Sequence, residues 1–363
     1  MTRILVVLPN WFGETLFATP FLRLLRARRP EIFLATLGRP QCRAILLHHP
    51  SVNALIDFEQ EGARGGPVGA WRLARALRAQ RFDTAFILRR SLSRTAVLAL
   101  AGIRERIGFD NPKSGWLLTR RLPAPRPPTS EELRLLWEAR QAAVAPSPPP
   151  VHKALSYLPL LGADAAPSPS VSFDYTVAGE ERAQARALLE EAGSGRGPLI
   201  ILHPGANWDH KRWPPDRFAR LGDQLAAARR ARIVITGAPE DGPLAGSIRH
   251  AMRQPATVLA GRTSLRELAA CLEQAQLLVS NDTGVLHLAA ALMRPLVALY
   301  GPTSPVLTGP LGDPSRITVL HHPGCCPRIP CLHPERGPAH PGMESITVEE
   351  AYEAACNLLN HHE

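Results

Sequence analysis

Two strand-to-helix turns late in the 363-residue chain carry the residue types that handle anions. The first is Ser280-Asn281-Asp282-Thr283-Gly284, with His287 three residues past the glycine; the second is Gly301-Pro302-Thr303-Ser304-Pro305. A turn of the first kind points backbone N–H groups over a sheet edge, and the helix dipole adds partial positive charge there. That is an anion site, most often for a phosphate. Asp282 or Thr283 is placed to cap the helix, and His287 can return to the same mouth. Each residue taken singly also fits a plain cap or a core histidine. A related group is His203-Pro204-Gly205-Ala206-Asn207 with Lys211 beyond it. Small residues there let backbone approach a ligand, and the lysine can reach a phosphate as a point charge. Glu14 follows Gly13 near the start of the chain, either as a dipole partner or as a base projecting from a strand end. Arg89, Arg90 and Arg94 are either a solvated helix start or contacts to an anionic acceptor. A carboxylate at Glu240 or Asp241, after Gly237-Ala238, suits the hydroxyls of a ribose, and the Gly-Ala step favours Asp241.

The elements that must hold these groups are short apolar runs separated by helical periodicity. Residues 4–8, 32–37, 54–58 and 84–88 read as buried strands, and so do 199–202, 233–236, 276–279 and 296–300. Helix-like stretches such as 68–80 lie between them. This rhythm implies an α/β fold with parallel, doubly wound sheets. Residues 121–150 are proline-rich and read as a long loop, and 151–161 as a helix. The expected division is a first domain over 1–162, a linker over 163–175, a second domain over 176–345 and a terminal helix over 346–363. That helix, capped by Thr347-Val348-Glu349-Glu350, is expected to return to the first domain.

Composition narrows the class. Hydrophobic residues at 45% and charged residues at 20% make the chain globular, with length for two cores. The net charge of +10 favours acidic partners, but no zinc-finger spacing, RNA-recognition signature or aromatic-basic interleaving points to nucleic acid. No apolar run is long enough to span a bilayer and no secretory signal opens the chain, so a cytoplasmic location is expected.

The order His203-Pro204-Gly205-Ala206, then Lys211-Arg212-Trp213-Pro214, then Asp282-Thr283-Gly284 with His287, then Gly301-Pro302-Thr303, resembles glycosyltransferase family 9, the heptosyltransferases that build the lipopolysaccharide inner core. The resemblance extends over nearly the whole chain. It implies the GT-B architecture, two Rossmann-like domains facing a central cleft, and an inverting, metal-independent transfer of heptose from ADP-heptose, with no cofactor. On that reading Lys211 and the turn at Asp282 hold the donor diphosphate and sugar. Gly205, Ala206, Asn207, Asp241, Thr283, Gly284 and His287 complete the donor site, and the loop at Thr263 and Leu265 walls the adenine. Glu14 is the catalytic base, at a position where the family normally has Asp. Gly13, Arg89, Arg90 and Arg94 face the acceptor. The implied partners are an ADP-sugar, a lipid-linked anionic oligosaccharide and, peripherally, the inner membrane surface.

Three rival readings share the fold: another nucleotide-sugar donor, an epimerase or hydrolase, and a binding protein with weakened catalysis. Cys325, Cys326 and Cys331 lie near His321, His322 and His333, but the spacing lacks a Cys-x-x-Cys pair, so no metal site is expected.

Overall fold

Runs of Val, Ile and Leu that are apolar on both faces become strands only where helices cover both sides of a parallel sheet. A computed structural model describes residues 1–58, 66–142, 152–162, 171–190, 197–326, 328–331 and 340–362, and there the runs build two such sheets. The first unit contains β1 (Arg3–Val7), α1 (Phe12–Arg28), β2 (Phe33–Gly38), α2 (Pro40–Leu46), β3 (Ala54–Asp57), α3 (Gly66–Ala79), β4 (Thr84–Ile87), α4 (Leu92–Leu100), β5 (Glu105–Phe109) and β6 (Arg120–Leu122). Its strand order is β3-β2-β1-β4-β5-β6, every pair parallel.

The second unit begins with α5 (Ser130–Ala142) and α6 (Gly179–Glu190). It continues through β7 (Leu199–His203), α7 (Pro215–Arg229), β8 (Arg232–Ile235), α8 (Gly242–Ala251), β9 (Ala256–Val258), α9 (Leu265–Gln274), β10 (Leu277–Asn281), α10 (Gly284–Ala291), β11 (Leu296–Tyr300), α11 (Pro305–Thr308), β12 (Ile317–His321), α12 (Pro341–Glu344) and α13 (Val348–His362). The order β12-β11-β10-β7-β8-β9 is the same winding as in the first sheet, again all parallel. In both sheets the winding reverses between the two central strands, β1 and β4 in one, β7 and β10 in the other. Ligands of open α/β sheets bind outside the carboxyl ends of strands at such a reversal. Glu14 follows β1, Arg89 follows β4, the 204–213 loop follows β7 and Asp282 follows β10. Among the described residues no helix is long and apolar enough to cross a membrane.

The units divide as Met1–Pro127, Lys153–Ser168 and Asp174–Thr176 against Pro128–His152, Pro169–Phe173 and Val177–Glu363. This corrects the boundary expected at 162. The proline-rich stretch is not a continuous loop: its prolines bracket α5 rather than interrupt it. Thr129 and Glu132 exchange capping bonds at 2.7 and 3.2 Å, and Leu133 and Trp137 pack with Val306 and Ile329 of the second unit. Residues 163–170 of the expected linker lie outside the described residues. The segment expected as a helix over 151–161 is a 3₁₀ turn, Leu155–Leu161, containing Pro159.

The terminal helix belongs to the second core. Thr347 and Glu350 do cap α13, and Val348, Ala351, Ala355 and Leu358 pack into the second sheet's core with Val297 and Leu299. It closes the unit that contains it, because its apolar stripe completes one face of β10–β12.

Candidate functional site

In the second unit α10 opens directly at the β10 turn. Neither Thr283 nor Asp282 caps it with a side chain. Asp282 turns away instead: its Oδ2 accepts the Lys211 ammonium at 2.6 Å and the Thr303 hydroxyl at 2.6 Å. Burial opposes its ionisation, yet the Lys211 charge and the bonds from Lys211 and Thr303 hold its carboxyl below the usual range. An ammonium has three N–H donors, so Lys211 keeps two for a further acceptor. Its Nζ lies 5.3 Å from the Trp208 ring centre. The result is an ammonium held in place by its carboxylate, with N–H donors to spare, near a helix N-terminus that no side chain caps, which is an arrangement for an anion. His287 is buried and meets Phe173 edge-on at 5.7 Å; burial lowers its pKa to about 4 against the pull of Asp282, so the ring is neutral.

The 204–213 loop is held to this turn by Asn281, which is fully buried. Its Nδ2 donates to Pro204 O at 2.8 Å and its Oδ1 accepts the Trp213 N–H at 3.1 Å. Arg212 braces the same loop, donating to Ala206 O at 3.1 Å and to Asp241 at 3.2 Å. Gly205 has to be glycine because a Cβ there would collide with the Asp241 carboxylate. Asp241 is thus turned under the loop, where it also accepts the Ala238 N–H at 3.1 Å. Its observed work is structural, whereas the sequence pointed to a ribose contact. Ala206, Thr263 and Leu265 are half-buried and Asn207 is exposed, while Ser264 and Glu267 cap α9 between and beside them.

In the first unit Glu14 lies in the first turn of α1, next to the half-buried Gly13. Its carboxylate pairs with Lys153. Lys153, Arg89, Arg90 and Tyr157 share the lining of a cavity of about 160 Å³. Burial and the Glu14 charge push the Tyr157 phenol above its ordinary range, so it stays protonated. Arg94 is not in this group. It is 1% exposed, donates to Leu8 O and Asn10, and sits over the Phe58 ring at 5.0 Å. Burial first, then Arg89, lowers its pKa to about 10. Arg94 therefore anchors the loop after β1 rather than facing an acceptor.

Four positioning residues were given no individual role from the sequence: Lys153, Asn281, Arg212 and Thr303, the last three named there only as members of longer motifs. The Gly-Pro-Thr turn was a signal for Thr303, and the proximity of Asn281 and Arg212 to recognised residues was a weaker one. Nothing local marks Lys153. The cysteines give a further correction to spacing arguments: Cys326, Cys331 and His340 bring one possible ligand atom each within 4.8 Å of one another. Within this group the His340 ring accepts the Gly342 N–H at 3.0 Å and caps α12.

Residues 70–335 match glycosyltransferase family 9 (heptosyltransferase). The lipooligosaccharide heptosyltransferase 2 of Haemophilus influenzae is 30% identical over 363 residues, 98% of this chain and 99% of its own. The lipopolysaccharide heptosyltransferase 2 of Escherichia coli K12 is 29% identical over 324 residues, 88% of each chain. The solved E. coli ADP-heptose lipopolysaccharide heptosyltransferase II is 27% identical, covers 99% of both chains and superposes with a TM-score of 0.77. With the matched residues running through both sheets, and with the turns after β7 and β10 assembled around one lysine, the chain belongs to glycosyltransferase family 9, the heptosyltransferases.

Proposed function

We propose that this enzyme transfers heptose from ADP-heptose to a lipopolysaccharide inner-core acceptor, with inversion and without a metal ion. The observation that carries the reading is the Asp282–Lys211–Thr303 arrangement beside the N-terminus of α10. Lys211, steadied by Asp282, and the first-turn N–H groups at Thr283 and Gly284 neutralise the diphosphate as it leaves. Gly205, Ala206 and Asn207 bring backbone to the same phosphates, and the loop at Thr263 and Leu265 lies along the adenine. His287, neutral, faces the sugar. Asp241 contributes to the ribose through the loop it supports. The E. coli relative named for ADP-heptose supports this donor.

The first unit supplies the acceptor side. Glu14, aimed by Lys153, takes the proton from an acceptor hydroxyl while that oxygen attacks the anomeric carbon. The bond from that carbon to the diphosphate oxygen breaks on the opposite face, ADP leaves with the electron pair, and the configuration inverts. Gly13 gives the acceptor room beside Glu14, and Arg89 and Arg90 meet its anionic groups. A lipid-linked acceptor places the reaction at the cytoplasmic face of the inner membrane, and the net charge of +10 suits that surface.

ADP-heptose consumption, measured with and without acceptor, tests the reading. Turnover that requires acceptor is expected. Consumption without acceptor indicates a hydrolase or epimerase, and binding without turnover indicates a non-catalytic protein. Calorimetry with ADP, UDP and GDP should rank ADP tightest; equal affinity for UDP would overturn the donor assignment.

A further inference from the structure

Helix α3 turns toward solvent a face that the core does not need. Ala74 and Leu77 enter the first unit's core, whereas Val68, Trp71, Arg75 and Arg78 recur at three- or four-residue spacing along the opposite side. That spacing puts them on one stripe, which runs roughly 15 Å along the helix. Val68 is 61% and Trp71 59% exposed, and Arg72, Arg75 and Arg78 are exposed with them. The Arg75 guanidinium lies 5.8 Å from the centre of the Trp71 ring. The neighbouring helix α4 ends in Leu100, 63% exposed, and the Arg78 guanidinium lies beside Gly102 just past that end. The helix contains no Asp or Glu.

An aromatic and aliphatic strip flanked by cations of one sign has a specific physical match. Tryptophan and aliphatic groups enter the headgroup–acyl boundary by about 5–10 Å, and arginines meet the phosphates above it. A neutral protein surface would leave three guanidinium groups without counter-charges. We infer that the exposed face of α3, with Leu100 beside it, docks the first unit on an anionic lipid surface. The inference rests on the proposed lipid-linked acceptor, which is met at such a surface.

The test uses the full chain and phosphatidylcholine vesicles with and without phosphatidylglycerol. Wild-type protein should sediment with the anionic vesicles only, and less so as salt is raised. Replacing Arg75→Gln together with Arg78→Gln should weaken that binding roughly 30-fold, from about 1 kcal/mol for each arginine near the surface. Trp71→Ser should weaken it further. A control, Arg186→Gln with Arg253→Gln, removes the same charge from exposed positions of the second unit and should change binding little. All variants should turn over ADP-heptose with a delipidated, water-soluble acceptor at the wild-type rate. That assay reads the proposed reaction separately from the docking. The inference fails if the α3 variant binds anionic vesicles like wild type, or if the control loses as much, which would reduce the effect to net charge. Competition by single-stranded RNA that displaces wild type from the vesicles but spares the α3 variant would make the face a nucleic-acid site instead.

Discussion

Glu14 and Asp282 make a natural comparison. Each follows a central strand of a sheet wound in the same order, and each is ion-paired to a lysine. Their surroundings differ. The Glu14 and Lys153 side chains are 24% and 39% exposed, those of Asp282 and Lys211 8% and 17%. Thr303 adds a hydrogen bond to Asp282 alone. A solvated pair contributes little to stability and lets its carboxylate exchange partners, as a base must. A buried pair has to stay intact, because either charge alone would be desolvated without compensation. One local arrangement, strand, turn and acidic residue, thus yields a partly solvated carboxylate in one unit, which the proposed function uses as its base, and a fixed strut in the other.

Acid should separate the two units most strongly. Burial lowers His152 to about 3 and His203, His287 and His321 to about 4 in the second unit, and in the first unit it lowers His49 to about 4. The unfolded chain binds these protons near pH 6.5, so their contribution is fully present above that value and is lost as pH falls toward 4. Each imidazole accounts for about 1.4 kcal/mol per pH unit in that window, hence roughly 5 kcal/mol per unit for the four. Hydrogen exchange between pH 7 and 5 should show the second unit opening first. Simultaneous opening of both would remove the contrast.

Next in size is Glu14→Gln. It should lower kcat by about 10²–10⁴-fold while donor affinity holds and stability changes by less than about 1 kcal/mol. Glu14→Asp sharpens the point, because it restores the family's usual residue but withdraws the carboxylate by roughly 1 Å. A site adapted to the longer arm should lose about 10²-fold. A gain would mean the glutamate weakens the enzyme, and turnover equal to wild type in both variants would remove Glu14 as the base.

Asp282→Ala should do what Glu14→Gln does not and lower the unfolding free energy by about 3 kcal/mol, since Lys211 is left without its counter-ion. Adding Lys211→Met should restore most of that loss. If urea unfolding of the single variant matches wild type, the buried pair is no strut and the comparison collapses.

The lysines give the smallest effects. Lys211→Ala should weaken ADP binding by about 1.5–3 kcal/mol, the range for hydrogen bonds to charged groups. Lys153→Gln should cost under about 1 kcal/mol of stability and reduce kcat by less than Glu14→Gln. A Lys153 variant as inactive as Glu14→Gln would show that the lysine does more than aim the carboxylate.

Much of this was legible along the chain because the signals are local. An apolar run between turns, a Gly-Ala step or Asp-Thr-Gly before a helical stripe announces strand, turn and helix without reference to distant residues. Where signals conflicted, the local reading failed. Prolines around α5 suggested a loop, although no proline lies within residues 130–142. Arg94 looked like its neighbours Arg89 and Arg90, yet the fold buries it against Leu8 and Asn10.

What the sequence determined by itself was the α/β rhythm, the placing of Glu14, Lys211 and Asp282 at strand ends, and the family. These depend on periodicity and on motifs a few residues long. Only the tertiary structure decided which charges meet: Lys153 reaches Glu14 across 139 residues, Lys211 reaches Asp282 across 71, and Thr303 closes on the same oxygen. It also decided which of two similar carboxylates is sealed from water. Strand order brings such partners together, and the burial that follows sets the strength and role of each charge; neither is written in the spacing of the residues concerned.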